Sequence, residues 1–150
     1  MKSSALKKGF TLIELLVVIG ILAVLLAIVL IAINPARQFS QANDTQRSSD
    51  VNAVLNAVHQ YMADNNGLPP TSITGTATII GDGVGQVDIC DDLVPTYIAA
   101  LPVDPQSGTD PVTDCNASYA TGYEISESTS SSRITVTAPS AENSVITVTR

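Results

Sequence analysis

Between Leu15 and Ile33 the chain carries no polar side chain: fifteen Leu, Ile or Val residues, three Ala and Gly20 follow without interruption. A segment apolar on every side predicts a helix that cannot lie on the outside of a soluble domain. Exposing large aliphatics costs roughly 1.5–3 kcal/mol each, so fifteen of them left in water would cost on the order of tens of kcal/mol. From Phe10 to Ile33 is 24 residues, about 36 Å as a helix. The hydrocarbon core of a bilayer is about 30 Å thick, so one such helix spans it with some tilt. The expectation is a helix over 10–33 that rests in lipid, in a bundle of its own kind, or in each at different times.

The pattern changes abruptly at Asn34-Pro35. Asparagine caps a helix and proline suits its first position, where a missing N–H costs nothing. Proline also clashes with the carbonyl one turn earlier, so a kink or local loosening is expected near Ile31 to Pro35. Beyond it a second, amphipathic helical half is predicted over 34–64. Val51, Val54, Leu55, Val58, Tyr61 and Met62 repeat at three and four, with Gln46, Arg47, Asp50, Asn56, Gln60 and Asp64 assigned to the opposite, polar side. Asn65-Asn66-Gly67 should end it, with Gly67 as a left-handed cap and Pro69-Pro70 preventing a restart.

Residues 65–150 read as a small β-rich head. Thr76 to Ile80 and Gln86 to Ile89 flank a Gly-rich stretch and suggest a hairpin. Gly122 to Ser126, Arg133 to Ala138 and Ser144 to Thr149 alternate apolar with polar positions and predict three strands. Consecutive strands pair by default, which gives an antiparallel meander packed on the amphipathic helix, an α+β fold.

Charge adds orientation. Lys2, Lys7 and Lys8 precede the apolar run, and the nearest charge after it is Arg37. The positive-inside bias keeps the N-terminus in the cytoplasm and sends the rest across the membrane. A cleaved secretory signal fits poorly, because nineteen apolar residues exceed the usual h-region of roughly 7–15 and no small-residue cleavage site follows. An exported head is in an oxidising compartment, so Cys90 and Cys115, the only cysteines, are expected to pair rather than stay as free thiols. The bond would close a loop of about 25 residues and stabilise the head by about 3 kcal/mol.

Glu14 is the anomaly, an acid inside the apolar segment. A carboxylate there costs a few kcal/mol, least near the interface, and usually has a partner. One reading places it shallow enough to reach the headgroups. Another follows from the neighbouring sequence: a cut after Gly9 would give Phe10 a new α-amino group about one helical turn from Glu14. The chain's own amine points along the helix axis, so the amine of a neighbouring subunit is the easier mate. Close opposite charges in low dielectric would then fix the axial register between helices.

Lys8-Gly9-Phe10-Thr11-Leu12-Ile13-Glu14-Leu15 resembles the processing site of type IV prepilins and of the related type II secretion and competence pseudopilins. The resemblance is strongest over residues 7–40. Tyr61 to Pro69 is similar to the family's ending of its long helix, with Leu68 where an aromatic is usual, and Tyr97 to Pro105 also resembles a pilin segment. The resemblance implies a leader over residues 1–9, cleavage between Gly9 and Phe10 by a prepilin peptidase, and N-methylation of Phe10. Methylation keeps the amine charge. Glu14 takes the place of the family's polymerisation glutamate, so Phe10 and Glu14 become the assembly pair. The partners implied are further copies of the chain, the lipid bilayer, a membrane assembly platform and a cytoplasmic assembly ATPase.

The implied function is structural: a membrane-inserted subunit that polymerises through its N-terminal helix into an extracellular pilus-like filament. The nearest alternative is a pseudopilin of a secretion or DNA-uptake system. A different class is a single-pass anchored binding protein that never polymerises. No enzyme is expected: His59 is the only histidine and has no placed nucleophile. Gly81, Gly83 and Gly85 lack the following helix and lysine of a phosphate loop, so they read as a turn. Residues 65–150 hold ten acids against Arg133 and Arg150, a balance that repels nucleic-acid phosphates. Asp88, Asp91 and Asp92, or Asp104, Asp110 and Asp114, are oxygen donors of the type calcium takes. Their spacing is not that of an EF-hand, so solvated carboxylates and no cofactor are the expectation. Asn43-Asp44-Thr45 and Asn116-Ala117-Ser118 fit glycosylation sequons, a weak signal at that length.

Overall fold

A computed structural model describes residues 9–150. The expected leader therefore lies outside the described residues except for Gly9. Two compact units divide the chain, one ending at Gln38 and the other Phe39–Arg150.

The first unit is dominated by helix α1, Leu12–Ile33, in which no residue is buried. It starts two residues later than expected from the sequence, at Leu12 rather than Phe10, because Thr11 is extended (φ −83°, ψ 151°) and serves as N-cap. It stops at Asn34, which adopts a left-handed conformation with φ 45° and ψ 80°. Proline disfavours the right-handed helical region in the residue before it, and asparagine tolerates the left-handed one. The expected kink is thus a one-residue break. Helix α2, Pro35–Asp64, begins immediately after it. The Arg37 N–H donates to the Asn34 carbonyl at 3.1 Å and to its side-chain Oδ1 at 3.5 Å.

In the second unit, the α2 residues from Phe39 onward pack under a four-stranded antiparallel sheet. Its strands are β1 (Thr78–Gly81), β2 (Ala120–Glu127), β3 (Ile134–Ala138) and β4 (Ile146–Thr149), in the order β1-β2-β3-β4. Alternation sets the faces. Tyr123, Ile125, Ile134 and Val136 are buried and join Val51, Val54, Leu55 and Val58 in one core. On the opposite face of the sheet the threonine hydroxyls of Thr135 and Thr149, and of Thr137 and Thr147, bond across strands at 2.9 and 3.1 Å. The last three strands form the expected meander. Helix α2 ends where the sequence indicated, with Asn66 and Gly67 left-handed (φ 57° and 85°) and the Gly67 N–H bonded to the Met62 carbonyl at 2.7 Å.

Two expectations need correction. Gln86 to Ile89 does not pair with β1 as a hairpin: only Ile80 and Val87 meet, in a single parallel bridge. Strand β1 pairs instead with β2, Thr78 opposite Ile125 and Ile79 opposite Glu124. Ile80 is buried and its carbonyl accepts the hydroxyl of Thr121 on β2 at 3.1 Å, while Gln86 folds back to accept the Gly83 N–H at 3.0 Å and closes the loop on itself. The second correction concerns α2. Arg47 and Asp50, assigned to the polar side, are buried.

Cys90 and Cys115 are disulfide-bonded, with Cα atoms 5.5 Å apart. The bond ties the short helix α3, Cys90–Leu93, to the loop preceding β2. Cys90 is fully buried, which anchors that loop to the core.

Candidate functional site

Glu14 and Thr11 form a reciprocal cap at the start of α1. The Glu14 N–H donates to the Thr11 hydroxyl oxygen at 3.2 Å, while Glu14 Oε2 accepts from the Thr11 N–H at 2.9 Å and the Thr11 hydroxyl at 2.8 Å. Thr-x-x-Glu ahead of an apolar run is a capping-box signature visible in the sequence. The part played by Thr11 is a difference from the sequence expectation, in which Glu14 stands out by its charge in an apolar segment. Oε1 of Glu14 accepts no bond among the described residues. The cap therefore holds the carboxylate at the helix start and leaves acceptor capacity for a further donor. Phe10 is 90 % exposed, so a backbone cut beside it meets no packed structure.

Beyond the cap, no residue of α1 is buried among the described residues. All its large aliphatics are at least 48 % exposed. Among the described residues it is one helix long and apolar enough to cross a membrane.

The head has its own polar centre, which the sequence did not reveal. Arg47 is fully buried, and its Nε and Nη2 donate to the Asp104 carboxylate at 2.8 and 3.2 Å. Its Nη1 donates to Asp44 at 2.9 Å and its Nη2 also to Gln106 Oε1 at 2.9 Å. Asp44 in turn accepts the backbone N–H groups of Glu142 and Asn143 at 3.0 and 2.8 Å. The Glu142 N–H bond is the largest of the contacts that pull the Asp44 carboxyl well below the ordinary carboxylate range, ahead of Asn143 and Arg47. Burial, the largest single influence on Asp104, would raise it, but the Arg47 hydrogen bonds, the Gln106 N–H and the Arg47 charge together outweigh burial and lower its pKa. One guanidinium thus joins α2, the 104–106 loop and the β3–β4 turn. A signal was present: stepping back from Val51 by four and then three lands on Arg47 and Asp44.

A second buried pair sits beside it. The Tyr123 hydroxyl donates to Asp50 at 2.8 Å, and burial, then that bond, pushes the tyrosine pKa up. Asp104 is therefore engaged with Arg47 and not gathered with Asp110 and Asp114. Asp88 accepts from the Tyr119 hydroxyl at 2.7 Å. Among the described residues no three His, Cys, Asp or Glu side chains are grouped to hold a metal ion. His59 is half-buried at the margin of α2. Every buried side-chain polar atom among the described residues thus has a partner, while Glu14 Oε1, at the exposed start of α1, accepts no hydrogen bond there.

Comparison with known proteins agrees with that emphasis. The prokaryotic N-terminal methylation motif matches residues 5–30. The chain is 32% identical over 99 residues to the type II secretion system core protein G of Pseudomonas aeruginosa, covering 66% of this chain and 68% of that one. It belongs to the type IV pilin and pseudopilin family. A second relative of this pilin-like chain is the type IV wide pilus major component PilA4 of Thermus thermophilus. There the identity is 44% over 59 residues, 39% of this chain and 44% of that protein, so the match spans less than half of the relative's length. No solved structure matches. The family match takes in Gly9, Phe10 and Glu14 together with most of α1, and the fold agrees with it: a long apolar helix followed by a small antiparallel sheet.

Proposed function

We propose that this chain is a structural subunit of a type IV pilus-like filament, stored in the cytoplasmic membrane with its N-terminus inside. A prepilin peptidase cuts between Gly9 and Phe10 and methylates the new Phe10 amine. Helix α1 then leaves lipid for the core of an extracellular helical polymer, delivered by a membrane platform and a cytoplasmic ATPase. The observation that carries the reading is the nakedness of α1: 22 residues, none buried, within and beyond the match to the prokaryotic N-terminal methylation motif. Lipid and sister helices are equally apolar, so the exchange costs little, and a polar pair decides register. The Phe10 amine of one subunit and the Glu14 carboxylate of the next supply that pair.

The experiment joins three measurements. The mass of the native N-terminus should correspond to N-methyl-Phe10. Electron microscopy of sheared surface material should show filaments containing the chain. Glu14→Ala and Glu14→Lys should leave membrane insertion intact and abolish incorporation. An uncut protein found only as solitary anchored copies would overturn the reading in favour of an anchored binding protein.

A second reading, a pseudopilin of a type II secretion system, is favoured by the extent of similarity: 99 matched residues against 59. Deleting the gene separates the two. A pilus subunit is required for surface fibres; a pseudopilin is required for release of exported proteins.

A further inference from the structure

The first bond of the α1 ladder runs from the Leu15 N–H to the Thr11 carbonyl at 3.3 Å. One turn further back, an unbroken helix would tie the Glu14 N–H to the Phe10 carbonyl and the Ile13 N–H to the Gly9 carbonyl. The first of those bonds is diverted. The Thr11 hydroxyl oxygen takes the Glu14 N–H at 3.2 Å, and Glu14 Oε2 holds the Thr11 N–H at 2.9 Å. Thr11 itself stands in extended backbone, with ψ 151°. Helix α1 therefore begins at Leu12, and Gly9 and Phe10 lie outside it, both exposed. Among the described residues, neither of their backbones takes part in a hydrogen bond.

Where the helix starts decides whether the Gly9–Phe10 bond can be reached. Hydrolysis adds water across that bond: oxygen joins the Gly9 carbonyl carbon, the C–N bond breaks, and the Phe10 nitrogen leaves as an amine. Inside a helix the Gly9 carbonyl would be occupied by a hydrogen bond and packed against the next turn, whereas exposed backbone free of such bonds is where chains are cut. Glycine weakens a helix at one position; a cap stops it at a defined one. We infer, resting on the processing step of the filament reading above, that Thr11 is a positioning residue for the leader cut. Its cap halts α1 short of the scissile bond and presents Gly9 and Phe10 to the peptidase as open chain. Thr11 acts through the conformation of the substrate and needs no contact of its own with the peptidase. Its role precedes assembly, whereas the Phe10 amine and Glu14 act as a pair only after the cut.

The test follows the full chain in its native host after a pulse of label, reading the initial rate at which the membrane-inserted precursor loses residues 1–9. Four substitutions separate capping from shape. Thr11→Ser and Thr11→Asn keep a capping oxygen, Thr11→Val keeps the outline of threonine without one, and Thr11→Ala lacks a cap and favours helix. The first two variants should be cut within about twofold of the parent rate. The last two should be cut about fivefold more slowly, the factor that a typical cap carries, with the amount of inserted chain unchanged. A structural role in α1 alone would leave all four rates alike, and that result would overturn the inference. A normal rate for Thr11→Val beside a slow Thr11→Asn would overturn it too, because the peptidase would then be reading side-chain shape. Slow cutting of all four would do the same, by assigning threonine a direct contact. In each of those cases the parent is still cut between Gly9 and Phe10, so the filament reading survives. A parent left uncut would overturn that reading, and the role of Thr11 with it.

Discussion

Helix α1 and the head solve opposite problems. The head buries its apolar residues and also its charges: Arg47, Asp44, Asp50 and Asp104 are all inside, and every buried side-chain polar atom among the described residues has a partner. Helix α1 buries nothing. Its single charge is held only by a local cap. The contrast teaches where each region's stability comes from. The head is completed by its own chain, so changes there should alter folding. The helix is completed by its surroundings, so changes there should alter assembly and leave folding almost untouched.

The largest expected effect tests the head's side of that division. Arg47→Ala leaves Asp104 and Asp44 without their cation, and removing one member of a buried ion pair typically costs about 3–5 kcal/mol. For a head of this size that is a fall in melting temperature of about 12–40 °C. Thermal unfolding of the detergent-solubilised chain would measure it. Replacing Arg47 and Asp104 together by Met and Leu should recover part of the loss, since Asp104 is then not stranded and Asp44 keeps the Glu142 and Asn143 N–H bonds. A melting temperature unchanged in Arg47→Ala would mean that the hub does not hold the three segments together.

Next in size is the disulfide. Reducing Cys90–Cys115, or replacing both by Ser, reopens a loop of 25 residues and should cost about 3 kcal/mol. The same unfolding measurement in the presence of reductant tests it. Membrane insertion should not change, because α1 has no contact that the bond supports within its own unit.

A pH titration sharpens the comparison further. Asp44 is held below its ordinary value, by the Glu142 N–H first and then by Asn143 and Arg47. A depressed carboxylate contributes stability that is fully present above its unfolded pKa, about 4, and lost as pH falls through the folded value. The head should therefore keep its stability from neutral pH down to about pH 5 and lose it progressively below about pH 4. In Asp44→Asn that acid slope should flatten, together with a lower plateau at neutral pH.

Which of these features the sequence disclosed follows from how local their causes are. The apolar run, the break at Pro35, the stop at Gly67 and the last three strands each depend on residues within one or two turns, and each was legible. The hub was not. A buried arginine on a helix looks like a surface one until its partner is known, and Asp104 lies 57 positions away. The β1 error has the same origin: its true partner, β2, begins 39 residues after β1 ends, beyond a loop that no local pattern could rank below a hairpin. At the N-terminus the reverse happened. Thr11-x-x-Glu14 is a local capping signature, yet the charge of Glu14 points first to its cost in lipid and to an amine of a neighbouring subunit, and these eclipse the cap.

That overlooked cap yields the smallest and most discriminating prediction. Glu14 has two roles that the usual alanine substitution confounds, closing the first turn and meeting an amine from outside. Thr11→Val removes the hydroxyl that takes part in the side-chain half of the box and keeps the carboxylate. Loss of a helix N-cap costs about 1 kcal/mol, in a helix that the membrane would stabilise anyway. Thr11→Val should therefore lower filament yield by no more than a few-fold, whereas Glu14→Ala should abolish it. Comparable defects in the two variants would show that Glu14 matters as a helix cap, and the intersubunit amine pair would lose its main support. A mild Thr11 phenotype beside a null Glu14 phenotype would assign the acid to the neighbouring subunit.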